Sequence, residues 1–161
     1  MNYVRYILAG VTCVVLMGLA SCVCKQYDVN RAGLQLLEEN LDAGHHLALL
    51  FEINSGKYES PDYPKTLEEL RSELRSSGIK PDIPQCRCLD GKTRDFDYIS
   101  GLGTADGPNF VFLVSPKEMG TNLIVIVYLD GKAVALNSKR ASEEIDISRN
   151  WVKHKLGEIQ H

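Results

Sequence analysis

"LIVIVYLDGKAVAL", Leu123 to Leu136, is the stretch that decides how this chain folds. Leu123–Leu129 is apolar throughout, and an unbroken run of that length reads as a central strand covered on both faces, or on one face plus a helix. Asp130–Gly131 then joins it to "KAVAL", Lys132–Leu136. An Asp-Gly pair between two strand-like runs signals a hairpin, because both residues tolerate the positive φ that tight turns require. Upstream, "FDYI" (Phe96–Ile99) alternates and "NFVFLV" (Asn109–Val114) is largely apolar. The carboxy-terminal half is therefore expected to be strands.

Ahead of the strands the apolar period changes. Leu34, Leu37, Leu41, Ala48 and Phe51 recur at three-, four- and seven-residue steps, with Leu47 and Leu50 widening the face. This is the pattern of an amphipathic helix, with Asp28 or Asn30 as cap and Asn54–Ser55–Gly56 as stop. His45 and His46 lie inside it, but positions 49 and 50 are leucines, so neither histidine has a metal-ligand partner one turn on. Both are expected on the helix flank. Pro61 and Pro64 mark an extended connector. In "TLEEL" Thr66 is placed to cap a second helix, with Glu69 completing a capping box. Leu67, Leu70 and Leu74 form its apolar face, and Gly78 ends it. "KPDIPQ", Lys80–Gln85, is a proline-bracketed loop. From about Ser142 the chain is acidic, then basic, with Trp151, Val152, Leu156 and Ile159 at helical spacing. A last helix packing Trp151 on the sheet is expected. The fold class is α+β, a long amino-terminal amphipathic helix packed on a small antiparallel sheet.

The chain has 161 residues, 44% hydrophobic and 24% charged, with a net charge of -3. That length suits one globular domain that needs no metal or disulfide to bury a core. There is no basic stripe, so nucleic acid is not an expected partner.

The amino terminus stands apart. Met1–Tyr6 carries Arg5, and Ile7–Ala20 is a 14-residue run of apolar and small residues broken only by Thr12. A bilayer span needs about 20 residues, whereas a run of this length fits the apolar region of an export signal. Its end, "LASCVCK" (Leu19–Lys25), resembles the bacterial lipoprotein signal, with Ala20 and Ser21 directly before Cys22. The resemblance implies that residues 1–21 are removed and that Cys22, as the new first residue, carries the lipid. Two or three acyl chains on one residue make a firm anchor, where one gives marginal binding. Residues 22–29 are then a lipidated tether, 30–140 the α+β domain and 141–161 a helical tail. The expected location is the cell envelope, on the periplasmic or extracellular face, with the membrane itself as one partner.

Of the remaining cysteines, Cys24, Cys86 and Cys88 stay in the mature chain, an odd number of thiols for an oxidising compartment. In "QCRC" the one-residue spacing is tighter than the usual zinc or redox spacing, and no further ligands flank it. A disulfide Cys86–Cys88, or one from either to Cys24, is expected over a metal site. No nucleophile-elbow, phosphate-loop or zinc motif is present, so neither an enzyme nor a bound cofactor is expected. Thiol-redox chemistry at Cys86 and Cys88 is the enzymatic alternative.

"NLDAGHHLALLFEINSGKYESPDYPKTLEEL", Asn40 to Leu70, resembles the helix and following loop of bacterial pseudopilins, the pilin-like subunits related to type II secretion. Asn40, Leu41, Ala48, Phe51, Asn54, Gly56, Tyr58, Pro64 and Leu70 fall in step with that pattern. "IPQC" before "DGKTRDFDYISGL" is similar to the family's proline-cysteine loop and Tyr-containing strand, and "NLIVIVYLDGKAVAL" to its closing hairpin. The resemblance covers roughly Asn30 to Leu136 and implies a pilin-like fold acting by assembly or by binding an envelope protein. It stops at the amino terminus, where a lipoprotein signal replaces the apolar helix that assembles pilin filaments. Major pseudopilins also bind calcium. The nearest acidic cluster here, Asp90, Asp95, Asp97 and Asp106, has the spacing of no calcium loop and reads as a solvated loop. The alternative is an unrelated small ligand- or partner-binding lipoprotein.

Overall fold

The computed structural model describes residues 31–56, 63–78, 83–117 and 122–157. The signal segment, the tether with Cys22 and Cys24, the caps at Asp28 and Asn30, Pro61 and Ile159 lie outside the described residues. Helix α1 covers 31–56. It is followed by α2 (Leu67–Ser76), β1 (Cys86–Arg87), β2 (Thr93–Arg94), β3 (Asp97–Tyr98), β4 (Val111–Val114), β5 (Leu123–Tyr128), β6 (Ala133–Asn137) and α3 (Ser138–Lys155). The class is α+β: a long helix, antiparallel sheets and a carboxy-terminal helix. Among the described residues, no helix is long and apolar enough to cross a membrane.

Leu36–His161 is one compact unit. Its main sheet has the order β3-β4-β5-β6, all antiparallel, while β1 and β2 form a separate two-stranded ribbon. β5 is central, and Ile124 to Val127 are all buried. Side chains alternate along a strand. Val127 points to α1, where it meets Gly44, and Tyr128 points to α3, where Glu144 and Arg140 lie near its hydroxyl. Helices cover both faces, which is why the strand reads as continuous apolar sequence.

The reversal from β5 to β6 uses three residues, Leu129, Asp130 and Gly131. Gly131 has φ 81°, and its N–H donates to Tyr128 O at 2.9 Å, while Tyr128 N–H donates to Lys132 O at 3.0 Å. The Asp130 carboxylate accepts from Lys132 N–H at 2.9 Å. A three-residue connection with its last residue left-handed matches the twist of the flanking strands.

The buried seam of α1 differs from the leucine pattern. Leu36, Asn40, Gly44, Leu47, Ala48, Phe51 and Asn54 are buried, Leu37, Leu41 and Leu50 are half-buried, and Leu34 is exposed. Two asparagines and a glycine thus stand among the buried positions, where periodicity alone looks for leucine. Gly44 is there because the helix comes close to the sheet: a Cβ at this position would lie 2.8 Å from Val127 Cγ2.

α2 begins as its sequence requires. Thr66 Oγ1 accepts from Glu69 N–H at 3.1 Å. The Glu69 carboxylate reaches one residue further back than a standard capping box, accepting from Lys65 N–H at 2.5 Å. Leu67, Leu70 and Leu74 are its buried face, and Gly78 follows with φ 73°.

α3 starts at Ser138, earlier than the expected position near Ser142, because the Asn137 side chain caps it by accepting from Arg140 N–H at 3.0 Å. Its inward stripe is Ala141, Ile145, Ser148 and Val152. Trp151 falls one position off that stripe. It is 40% exposed and stacks on Phe110, the residue just before β4, ring centroids 5.1 Å apart. His45 and His46 are exposed on the flank of α1.

Candidate functional site

Three groupings of polar side chains within Leu36–His161 bear on chemistry. The first surrounds "QCRC". Asn40 of α1 clamps the strand between the two cysteines: its Nδ2 donates to Arg87 O at 2.9 Å and its Oδ1 accepts from Arg87 N–H at 2.6 Å. Arg87 itself turns outward and meets Glu39 at 3.2 Å. With Arg87 outward, Cys86 and Cys88 both turn inward, and both are buried free thiols. Their backbone is extended, since β1 pairs Cys86 with Arg94 and Cys88 N–H donates to Lys92 O at 2.9 Å. Burial, then the neighbouring Cys88, Asp97 and Asp95, push the Cys86 thiol well above its ordinary range. A buried thiol that resists ionisation is a poor nucleophile and a poor metal ligand.

The second grouping centres on Asp106, in the loop before β4. Its carboxylate accepts from Trp151 Nε1 at 2.9 Å, from Lys155 Nζ at 2.9 Å and from Gly103 N–H at 2.9 Å. Lys155 also donates to Gly101 O at 3.2 Å. Burial alone would raise the Asp106 pKa. The hydrogen bonds from Trp151, Lys155 and Gly103, with the lysine charge, outweigh it and hold the carboxyl below its ordinary value. This is a clasp that fastens the end of α3 to the loop. A surface depression of about 260 Å³ opens beside it, between Glu52, Tyr63 and Thr104.

The third is a depression of about 280 Å³ on the α3 side of β5 and β6, lined by Asn109, Tyr128, Asp130, Lys132 and Glu144. It carries both signs of charge. Tyr128 there is pushed up first by burial and then by Glu144, partly offset by Arg140.

The acidic residues noted in the sequence are not brought to one point. Asp95 accepts from Arg71 and from Gln85, each at 2.8 Å. Asp90 accepts from Lys92 N–H at 3.0 Å in its own turn, and Asp106 belongs to the clasp. Among the described residues no group of three or more His, Cys, Asp or Glu is placed to hold a metal ion. His45 Nδ1 instead bonds Gly131 O at 2.9 Å, tying α1 to the β5–β6 turn.

Several buried polar groups have tertiary partners that the sequence reading does not supply. Ser148 Oγ accepts from Val111 N–H at 2.8 Å, and Ser115 Oγ accepts from Val125 N–H at 2.9 Å. Asn54 donates to Glu73 on α2, while its buried Oδ1 has no partner among the described residues. Only a polar residue on an otherwise apolar face could have flagged them. The four rings Phe51, Tyr63, Tyr98 and Phe112 interlock beside this point, with centroids from 5.1 to 6.5 Å apart. The Tyr98 hydroxyl donates to Pro64 O at 2.6 Å, which fixes the connector into α2.

Comparison with protein-family models, with curated proteins and with solved structures finds no match to this chain.

Proposed function

We propose that this chain is a lipid-anchored cell-envelope protein whose folded part is pilin-like, resembles the pseudopilins, and works by binding or assembly without catalysis. The observation that carries the reading is Leu19-Ala20-Ser21-Cys22 at the end of a 14-residue apolar run. Lipid on Cys22 holds the chain in the bilayer, residues 22–29 act as a short tether, and the α+β domain offers its surface to an envelope protein partner. Removing residues 1–21 takes away Arg5 and no acid, leaving a net charge of -4.

A long helix laid on an antiparallel sheet is consistent with the pilin-like half of this reading, with the β5–β6 pair and its Asp130–Gly131 turn standing for the closing hairpin. The raised Cys86 thiol counts against the redox alternative, which needs a thiolate near neutral pH. The assembly role is tested by cross-linking in intact cells followed by identification of what co-purifies. Recovery of secretion or pilus components is the expected result. Recovery of cell-wall material alone overturns it.

A further inference from the structure

The two outer strands of the main sheet are treated differently. β3 is two residues long and carries Asp97, a charge that discourages further pairing. β6 is five residues long, reads Ala-Val-Ala-Leu-Asn, and pairs with β5 through five consecutive positions with no bulge. It contains no proline and no charge. A long, regular, uncharged edge is what natural sheets normally avoid unless something pairs with it.

The direction of its unpaired groups follows from β5. Val125 turns both backbone groups toward β4, its O accepting from Ser115 N–H at 2.8 Å and its N–H donating to Ser115 Oγ at 2.9 Å. Ala135 stands opposite Val125 and therefore points its own N–H and C=O outward, away from β5. Ala133 does the same two residues earlier. Among the described residues neither has a partner on that outer side.

We propose that β6 pairs antiparallel with β6 of a second copy of this chain, about a two-fold axis at Ala135. In that register Ala135 faces Ala135 of the second copy and the two exchange both backbone hydrogen bonds. Val134 of each copy faces Leu136 of the other, so the half-buried Val134 and Leu136 cover one another across the joint. No like charges are opposed within the strands. The ends are complementary as well. α3 has no acid in its first turn and opens with Lys139 and Arg140, an unfavourable start for a helix dipole. The pairing brings Asp130 of the second copy beside that start. The two four-stranded sheets become one continuous sheet. This pairing does not depend on the lipid anchor, so its failure leaves the anchor untouched.

The test is cysteine cross-linking of the full-length chain in the membranes of expressing cells, with mild oxidant and non-reducing gels. Facing residues that exchange hydrogen bonds have Cα atoms about 5.5 Å apart, within disulfide range. Ala135→Cys is expected to give at least fivefold more homodimer than the wild type. Ala133→Cys alone is expected to give no gain, because its two copies stand roughly 14 Å apart along the strands. Coexpressing Ala133→Cys with Asn137→Cys restores a dimer. Equal cross-linking at 133 and 135, no gain at 135, or a bond from 135 to a different polypeptide overturns the proposal. Sedimentation of the detergent-solubilised chain is the second readout. Ala135→Pro removes the outward N–H without removing a β5 bond, and is expected to convert a concentration-dependent dimer to monomer with unchanged circular dichroism. A persistent dimer in a folded Ala135→Pro chain also overturns the proposal. If that variant unfolds, the cysteine series alone decides.

Discussion

Gly44→Ala sets two physical effects against each other. In an isolated helix the change is favourable by about 1 kcal/mol, since alanine is the best helix former and glycine among the poorest. In the folded chain the new Cβ would lie 2.8 Å from Val127 Cγ2 and 3.4 Å from Phe96 Cζ. Carbon atoms are comfortable at roughly 3.5–4.0 Å, so something must move by more than half an ångström. Val127 is fully buried in the central strand, and β-branching leaves it few rotamers to escape into. Overpacking of a tight core costs about 1–3 kcal/mol. With two constrained neighbours the upper part of that range applies, leaving a net loss of about 1–2 kcal/mol after the helix gain. That corresponds to a fall in Tm of about 2–8 °C for a chain of this size. Thermal and urea melts followed by circular dichroism measure it. Adding Val127→Ala makes room, so the double variant is expected to be less destabilised than the sum of the two singles by about 1 kcal/mol. A Gly44→Ala chain that melts higher than wild type, or strict additivity in the double variant, refutes the close approach of α1 to β5.

Asn40→Ala leaves both Arg87 backbone groups without the partners they have in the fold, and a loss of about 2 kcal/mol is expected in the same melts. The Asp106 clasp has a definite pH sign: a carboxyl held below its unfolded value stabilises above that value, near pH 4, and the contribution is lost as pH falls through the folded pKa. The Tm difference between wild type and Asp106→Asn is therefore expected to be largest near pH 7 and to shrink below pH 4; a pH-independent difference counts against the charged clasp. Cys86 and Cys88 are buried, so peptide mapping after maleimide treatment is expected to find them unlabelled in the folded chain and labelled in denaturant.

How much of this was readable in the sequence depends on what carries the information. The central strand was legible because Leu123–Leu129 is apolar at every step, which only two-sided burial explains. α2 was legible because its cap, its leucines and its glycine all agree. The face of α1 was legible only in outline. Hydropathy places leucines inward, but Gly44 lies close against Val127, and Asn40 is a buried polar tie whose bonds go to a strand 47 residues away in sequence. Helical spacing groups Trp151 with Val152, but only Val152 is on the buried stripe, while Trp151 stacks on Phe110 beside β4. Its indole N–H donates to Asp106, and Ala141, Ile145 and Val152 form the inward stripe. Ser115 and Ser148 could not have been picked out, and Asp106 stood out only as one of several acids, because their partners are set by tertiary register.

The proposed address of the chain rests on "LASCVCK". If Cys22 is the lipid site, the apolar start belongs to the signal and the envelope domain is held by a short tether. Metabolic labelling with an alkyne fatty acid, comparing wild type with Cys22→Ala, decides it. The expected result is that the substitution abolishes both the label and processing to the shorter form. Undiminished labelling of Cys22→Ala would contradict the lipid-anchored reading outright.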